Sequence, residues 1–347
     1  MTTFPDQDWT EAAPEQVELD GRRVEEAMAV VARISGDDGN QQSLLIRDGC
    51  LVWHGPEIDR VHSVWSCTKS FLSLTMGLVI DDGRCSLDTR AADLYPALEA
   101  EYPTVTLRHL VTFTSGYRPR AGSAREAPFE PASPLFAPGE RFHYWWESYL
   151  LALLLTKVAG ESLEDLFRRR IAEPIGLDPV SWRWGDCDWG TFDAVTGLRG
   201  VKVCGGSGLY GRGVSISARS MARVGWLVAN GGRWGDRQLV SSAWIEASTQ
   251  PQVPATTPPQ DPAAWYAKLP GRYGYYWWTN GADASGRRLW PSAPGRTFAM
   301  QGHENNICLI VPEWRLVLVR LGTDQVLYGE EYDEVLAALG SAAGEKS

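Results

Sequence analysis

The sequence predicts an α/β (α+β) protein in which an antiparallel sheet, flanked by N- and C-terminal helices, carries an inserted, mainly helical lobe. Three observations predict it. A helical stretch and a strong hairpin signal stand near the N-terminus, strand-like runs and a last helix stand near the C-terminus, and strand signals fade between them. Both chain ends therefore build one sheet. In residue terms, 1–81 and 205–347 form the sheet-containing lobe and 82–204 the helical lobe.

In chain order, the polar stretch up to Glu18 reads as an extended arm. Val24 to Ile34 has helical periodicity and ends in the Gly/Asp-rich turn Gly36 to Gly39. Ser43 to Arg47 and Cys50 to His54 flank Asp48-Gly49, a dipeptide that accepts positive φ and so makes a tight hairpin turn. The apolar run Phe71 to Ile80 follows as a buried helix. Between Asp82 and Gly200, short helices are expected at Asp88 to Leu94 and Thr106 to Val111. A strongly apolar helix is expected at Leu150 to Val158, stopped by Ala159-Gly160, and another opens at Ser162, whose hydroxyl suits an N-cap. Beyond Gly205, helices are expected at Ser217 to Ala229 and Ser242 to Ser248. Strands are expected at Tyr273 to Thr279, Leu289-Trp290, Thr297 to Gln301, Ile307 to Val311 and Arg315 to Leu321, before a closing helix at Tyr332 to Leu339.

Composition narrows the function classes. A formal net charge of -10 over 347 residues argues against nucleic acid or an anionic membrane as partner, since both call for basic patches. No run reaches the length and apolarity of a membrane span. The start has neither a basic nor an apolar signal region, so a cytoplasmic location is expected. Cys50, Cys67, Cys85, Cys187, Cys204 and Cys308 show no C-x-x-C, and the five histidines show no ligand spacing, so neither metal nor other cofactor is expected. Gly206 to Gly211 satisfies G-x-G-x-x-G, but no parallel strand precedes it and the next helix begins too late for a nucleotide site.

The stretch that carries chemistry is Trp65-Ser66-Cys67-Thr68-Lys69-Ser70, at the head of the buried helix. Ser66 and Lys69 are three residues apart and share one helical face. A serine hydroxyl is a weak nucleophile until a base takes its proton, and a lysine desolvated by an apolar wall can be that base. The helix N-terminus aims N–H groups at Ser66, which suits an oxyanion.

Four segments in order make the chain resemble the serine β-lactamase-like family, in its class C β-lactamase, esterase and D-aminohydrolase branch, with the β-lactamase/transpeptidase-like fold. They are Trp65 to Phe71; Thr106 to Gly116, with Thr114-Ser115-Gly116; Pro138 to Tyr144, continuing to Tyr149; and Gln301-Gly302-His303-Glu304 leading into Val311-Pro312-Glu313. The resemblance implies Ser66 as acylated nucleophile, Lys69 as its base and Tyr144 as the proton relay to the leaving group. It places His303 on a strand edging the site and implies backbone N–H groups of Ser66 and Asn306 as the oxyanion hole. Glu304 and Asn305 then fall at the substrate edge. Two positions depart from the family pattern. Trp146 stands where an Asn side chain holds an amide substrate, and Asn305 stands where Gly permits close backbone approach.

Both departures favour an ester, with its better leaving group, over a β-lactam. Trp145 and Trp146, with Tyr276 and Trp278, are expected to form an aromatic acyl pocket or else to be core. Glu147, three residues after Tyr144, either tunes that tyrosine or faces solvent. The expected activity is a serine carboxylesterase working through an acyl-enzyme on a small-molecule ester. The alternatives are an amide, oligoamide or D-amino-acid peptide hydrolase, an acyltransferase to an amine or alcohol, and a ligand sensor without turnover. A homodimer is the one assembly left open.

Overall fold

The computed structural model describes residues 3–120, 129–145, 147–185, 193–201, 213–324 and 327–344. Its strands are β1 (Thr10–Glu11), β2 (Ser43–Arg47), β3 (Cys50–His54), β4 (His62–Ser63), β5 (Trp182–Gly185), β6 (Gly213–Ile216), β7 (Arg233–Trp234), β8 (Arg237–Gln238), β9 (Trp278–Thr279), β10 (Phe298–Gly302), β11 (Asn306–Val311) and β12 (Leu316–Arg320). Its helices are α1 (Gly21–Ile34), α2 (Thr68–Asp81), α3 (Ala91–Leu94), α4 (Leu107–Val111), α5 (Glu147–Ala159), α6 (Leu163–Phe167), α7 (Asp193–Thr196), α8 (Ala218–Ala229), α9 (Ser242–Ser248) and α10 (Tyr332–Ala342).

The main sheet has the order β1-β3-β2-β12-β11-β10-β9, so N- and C-terminal strands meet where β2 pairs with β12. Every pairing is antiparallel except the short parallel contact of β1 with β3. Every position of β11 and β12 is buried, so both faces of the central strands are covered. The helix α8 lies against β2, β11 and β12, while α1 and α10 pack on each other.

The hairpin falls where Asp48-Gly49 places it: Asp48 at φ 55° and Gly49 at φ 82° satisfy the two left-handed positions. Ser162 caps α6, its hydroxyl accepting from the Asp165 N–H at 3.0 Å, and Ser217 caps α8 in the same way from Ser220 at 3.3 Å.

Three features differ from expectation. Only Trp278–Thr279 of the expected strand from Tyr273 pairs in the sheet, because the chain folds back on itself: Gly274 donates to the Trp277 carbonyl (2.9 Å) and Tyr276 sits at φ 63°. Leu289-Trp290 forms no strand; the Trp290 N–H donates to the Asn280 side chain instead (2.7 Å). A second sheet, β4-β6-β5, places a strand inside the stretch expected to be helical.

The site's frame is a pair of apolar helices. From Thr68 to Val79, α2 is buried all round, as a helix without a polar face must be, and it packs against α5. Gly302 at the end of β10 closes the frame. A Cβ there would lie 2.2 Å from the Val64 carbonyl, so only glycine lets the sheet edge abut the turn that carries Ser66. No helix among the described residues is long and apolar enough to cross a membrane.

Candidate active site

Ser66 lies in the short 3-10 turn Trp65–Cys67 that leads into α2. The first intrahelical bond runs from the Cys67 N–H to the Val64 carbonyl (3.1 Å), so the Ser66 N–H precedes it and belongs to the amides that a helix start leaves without an internal acceptor. One turn on, the Lys69 Nζ reaches the Ser66 Oγ at 2.9 Å and lies 4.9 Å from the centre of the Tyr144 ring. Lys69 is 4% exposed. Burial pulls its ammonium down to about 7, against the raising influence of the Cys67 and Glu147 charges. A lysine in this state offers a neutral amine at ordinary pH, hydrogen-bonded to the hydroxyl it must deprotonate.

Tyr144 approaches from the segment before α5. Its phenol faces the Ser66 and Tyr273 hydroxyls, and burial holds its proton far above the usual tyrosine range. Phe113 packs tilted against it at 4.5 Å and Trp265 meets it edge-on at 4.9 Å. The ring is therefore fixed by packing, with its hydroxyl as the polar end.

Backbone strain gathers here. Trp65 (φ 49°), Phe113 (φ 57°), Tyr276 (φ 63°), Glu304 (φ 58°) and Asn305 (φ 56°) all occupy the left-handed region without being glycine. Each such residue costs about 1–3 kcal/mol and persists only where its surroundings hold it. The surroundings are explicit. The Ser70 Oγ donates to the Tyr276 carbonyl (2.8 Å), the Trp65 Nε1 donates to the Glu304 carboxylate (2.7 Å), and the fully buried Arg320 donates to the Glu304 and Asn305 carbonyls (2.8 and 3.0 Å).

The sequence matches the model of one family, described as Beta-lactamase, over residues 45–340. The chain belongs to that family. Solved structures share its fold. A family VIII carboxylesterase superposes with a TM-score of 0.68 at 18% identity, covering 96% of this chain and 98% of that one. EstCE1, a hydrolase with promiscuous acyltransferase activity, gives 0.65 at 17%, covering 92% and 98%. A penicillin-binding protein homologue from Caulobacter crescentus gives 0.64 at 16%, covering 92% and 97%. At these identities the likeness is one of fold. The fold and family match support a serine hydrolase in general terms, without naming the bond it cuts.

The structure brings Ser66, Lys69 and Tyr144 together. His303 stands at the rim, its exposed ring edge-on to Trp65 at 4.9 Å. Trp145 is also at the surface, 48% exposed, with its ring stacked on His143 at 6.2 Å. Trp146 and the Gly206 to Gly211 loop lie outside the described residues.

Four expected positions need correction. The backbone N–H of Asn306 turns onto the His303 carbonyl (3.4 Å), and its side chain is tied to Gly322 in both directions (3.1 Å each). Its amide closes the hairpin turn and is not a free oxyanion donor. Asn305 points inward, bonded to the Ser35 and Tyr332 hydroxyls (3.3 and 3.0 Å), so it cannot line a substrate edge. Tyr276 is buried, its hydroxyl donating to the Leu110 carbonyl (3.0 Å), and is core. Trp278 is 3% exposed and acts through another ring, backing Trp265 in a parallel stack at 6.1 Å. Glu304 remains at the site's edge but is occupied by Trp65.

Trp265 and Tyr328 were not anticipated. Both are half-buried, stacked on each other at 5.2 Å, and they continue the wall that begins at Tyr144. The available signal was Trp265-Tyr266, an aromatic pair directly after the Pro-rich loop from Pro251 to Pro262. Among the described residues, no cluster of three or more His, Cys, Asp or Glu could hold a metal ion.

Proposed function

We propose that the protein is a carboxylesterase that acylates Ser66 with a small ester and releases the acyl group to water. One observation carries the reading: the buried Lys69 Nζ lies 2.9 Å from the Ser66 Oγ, and burial lowers its ammonium to about 7. In acylation, the amine takes the Ser66 proton as Oγ bonds to the substrate carbonyl carbon. The carbonyl electron pair moves onto oxygen, next to the Ser66 N–H at the helix start. When the tetrahedral intermediate collapses, the ester C–O bond breaks and the leaving oxygen collects a proton. Tyr144 serves this step as a donor, because its phenol stays protonated, and the proton it gives is restored from Lys69. Water then repeats the sequence on the acyl-enzyme.

An ester fits better than an amide. Amine departure needs full protonation of nitrogen and firm positioning of the amide plane, and position 146 carries Trp rather than an amide side chain. The half-exposed Trp145, with Trp265 and Tyr328 beside Tyr144, supplies flat apolar surface for the acyl or leaving group.

The test is intact-protein mass spectrometry with product detection, using p-nitrophenyl acetate, a linear amide and a β-lactam on wild type and Ser66→Ala. The proposal expects an acetyl-mass adduct and product from the ester, both lost in the variant. Ester product formed equally well without Ser66 overturns it.

A further inference from the structure

Tyr273 stands at the start of the fold-back that precedes β9, its carbonyl accepting from the Gln252 and Val253 N–H groups (2.8 and 3.2 Å). Its side chain is buried in a cluster of four rings. The Tyr273 ring centre lies 5.8 Å from Phe113, 5.7 Å from Phe142 and 5.9 Å from Tyr144, whose plane it meets at 79°. Phe113 and Phe142 carry no polar atom, so of these three neighbours only Tyr144 can bond the Tyr273 hydroxyl. The two hydroxyls are hydrogen-bonded to each other, and neither is among the buried polar atoms left without a partner. A phenylalanine at 273 would fill the same ring volume with no hydroxyl to bury, so packing alone does not account for the tyrosine.

We infer that Tyr273 is the positioning residue of Tyr144: its hydroxyl donates to the Tyr144 oxygen, which leaves the Tyr144 proton for the Ser66 side and keeps a donor in place for the phenolate that remains once that proton has gone. This role deepens the proposed function and rests on it for its kinetic part only. Each hydroxyl has one proton. If Tyr144 gave its own to Tyr273, none would face the leaving group. Burial pushes both phenols up, and against that background their contact lowers the proton affinity of Tyr144 and raises that of Tyr273. Tyr273 is therefore the partner that keeps its proton.

As the tetrahedral intermediate collapses, the ester C–O bond breaks with its electron pair going to the leaving oxygen, and the Tyr144 proton moves to that oxygen. Tyr144 is then a phenolate walled by Phe113 and Trp265, where an unmatched charge is strongly unfavourable. The Tyr273 proton stays on Tyr273, and its bond to Tyr144 becomes charge-assisted, roughly twice as strong as between neutral groups. The Lys69 ammonium, whose Nζ lies 4.9 Å from the Tyr144 ring centre, then restores the proton it took from Ser66. Tyr273 thus matters in proportion to the leaving oxygen's need for a proton, which is small for p-nitrophenoxide and larger for p-methoxyphenoxide.

The test uses ring-substituted phenyl acetates from p-nitrophenyl to p-methoxyphenyl, which all give the same acetyl-enzyme, so that kcat/KM reads acylation and varies only with the leaving group. Tyr273→Phe keeps the ring among Phe113 and Phe142. It should lower kcat/KM by no more than about threefold for the p-nitrophenyl ester and by about tenfold or more for the p-methoxyphenyl ester. With Tyr144→Phe already in place, it should lower neither further. Equal losses across the series, no loss at all, or a loss that adds to that of Tyr144→Phe overturns the inference. A reading without turnover comes from carbon-labelled tyrosine NMR, in which the hydroxyl-bearing carbon of Tyr144 is assigned among 12 tyrosines by its absence in Tyr144→Phe. That signal should move in Tyr273→Phe. An unmoved signal in the folded variant overturns the inference, whatever happens to the rates. A moved signal in a protein with no Ser66-dependent hydrolysis upholds the inference and overturns the ester reading instead.

Discussion

Two hairpins of the same sheet reach the left-handed region at their turns by opposite means. Between β2 and β3, Asp48 and Gly49 adopt it with residues suited to it, and the turn is legible in the sequence. Between β10 and β11, Glu304 and Asn305 adopt it; Asn305 tolerates the region, but Glu304 has no local preference for it. The first hairpin keeps its shape by local preference. The second is held from outside, by Arg320 on its carbonyls, Tyr332 and Ser35 on Asn305, and Trp65 on Glu304. The difference teaches that the edge beside Ser66 derives its geometry from tertiary bonds, one of which, from Trp65, starts one residue from the nucleophile.

Breaking the external support should give the largest effect. Arg320→Met leaves the Glu304, Asn305 and Ser35 carbonyls without their buried donor and should cost roughly 3–5 kcal/mol, read as a lower urea midpoint. Hydrogen exchange should rise at β10–β11 before β2–β3. Equal loosening of both hairpins would contradict the contrast.

The second effect concerns two buried titratable groups, Lys69 and Glu147. Lys69 has its affinity for protons lowered on folding, so its stability contribution is present above the unfolded value of 10.5 and is lost as pH falls through about 7. Glu147 has its affinity raised, so its contribution is present below 4.5 and is lost as pH rises through about 8. Together they leave the site least stable near pH 7–8. Lys69→Met with Glu147→Gln should therefore raise stability by roughly 2–4 kcal/mol near pH 7.5, while abolishing acylation. A lower melting temperature in the double variant would contradict this.

Smaller effects sharpen the comparison from both sides. Gly49→Ala meets positive φ and a Thr3 carbonyl 2.0 Å from the new Cβ, and should cost about 1–3 kcal/mol with activity per folded molecule unchanged. Glu304→Gly relaxes its backbone but gives up the Trp65 bond, so stability should stay within about 1 kcal/mol while kcat/KM falls. Loss of activity in the first variant, or full activity in the second, would reverse the assignment of roles.

Legibility in the sequence followed the same divide. Elements set by local pattern were readable: the Asp48-Gly49 hairpin, the Ser162 and Ser217 caps, and the all-apolar face of α2. Ser66 and Lys69 were readable because i, i+3 spacing on a helix fixes their juxtaposition. Roles set by long-range bonds were not. Nothing local distinguishes an Asn306 amide aimed at a substrate from one that closes its own turn, or a Tyr276 in a pocket from one bonded to Leu110. Trp265 reaches Tyr144 across more than one hundred residues, and β5 pairs with β6, which in turn pairs with β4 from far earlier in the chain. Glu147 was visible as a residue, but its burial depends on how α5 packs on α2.

The most direct test of the account is the single-turnover rate of Ser66 acetylation by p-nitrophenyl acetate, followed by intact mass from pH 5 to pH 9. The account predicts a rate that climbs with pH and levels off above a midpoint near 7, the pH at which Lys69 becomes a free amine, with no adduct in Ser66→Ala. A rate that does not change across that range, or an adduct carried by another residue, would contradict it.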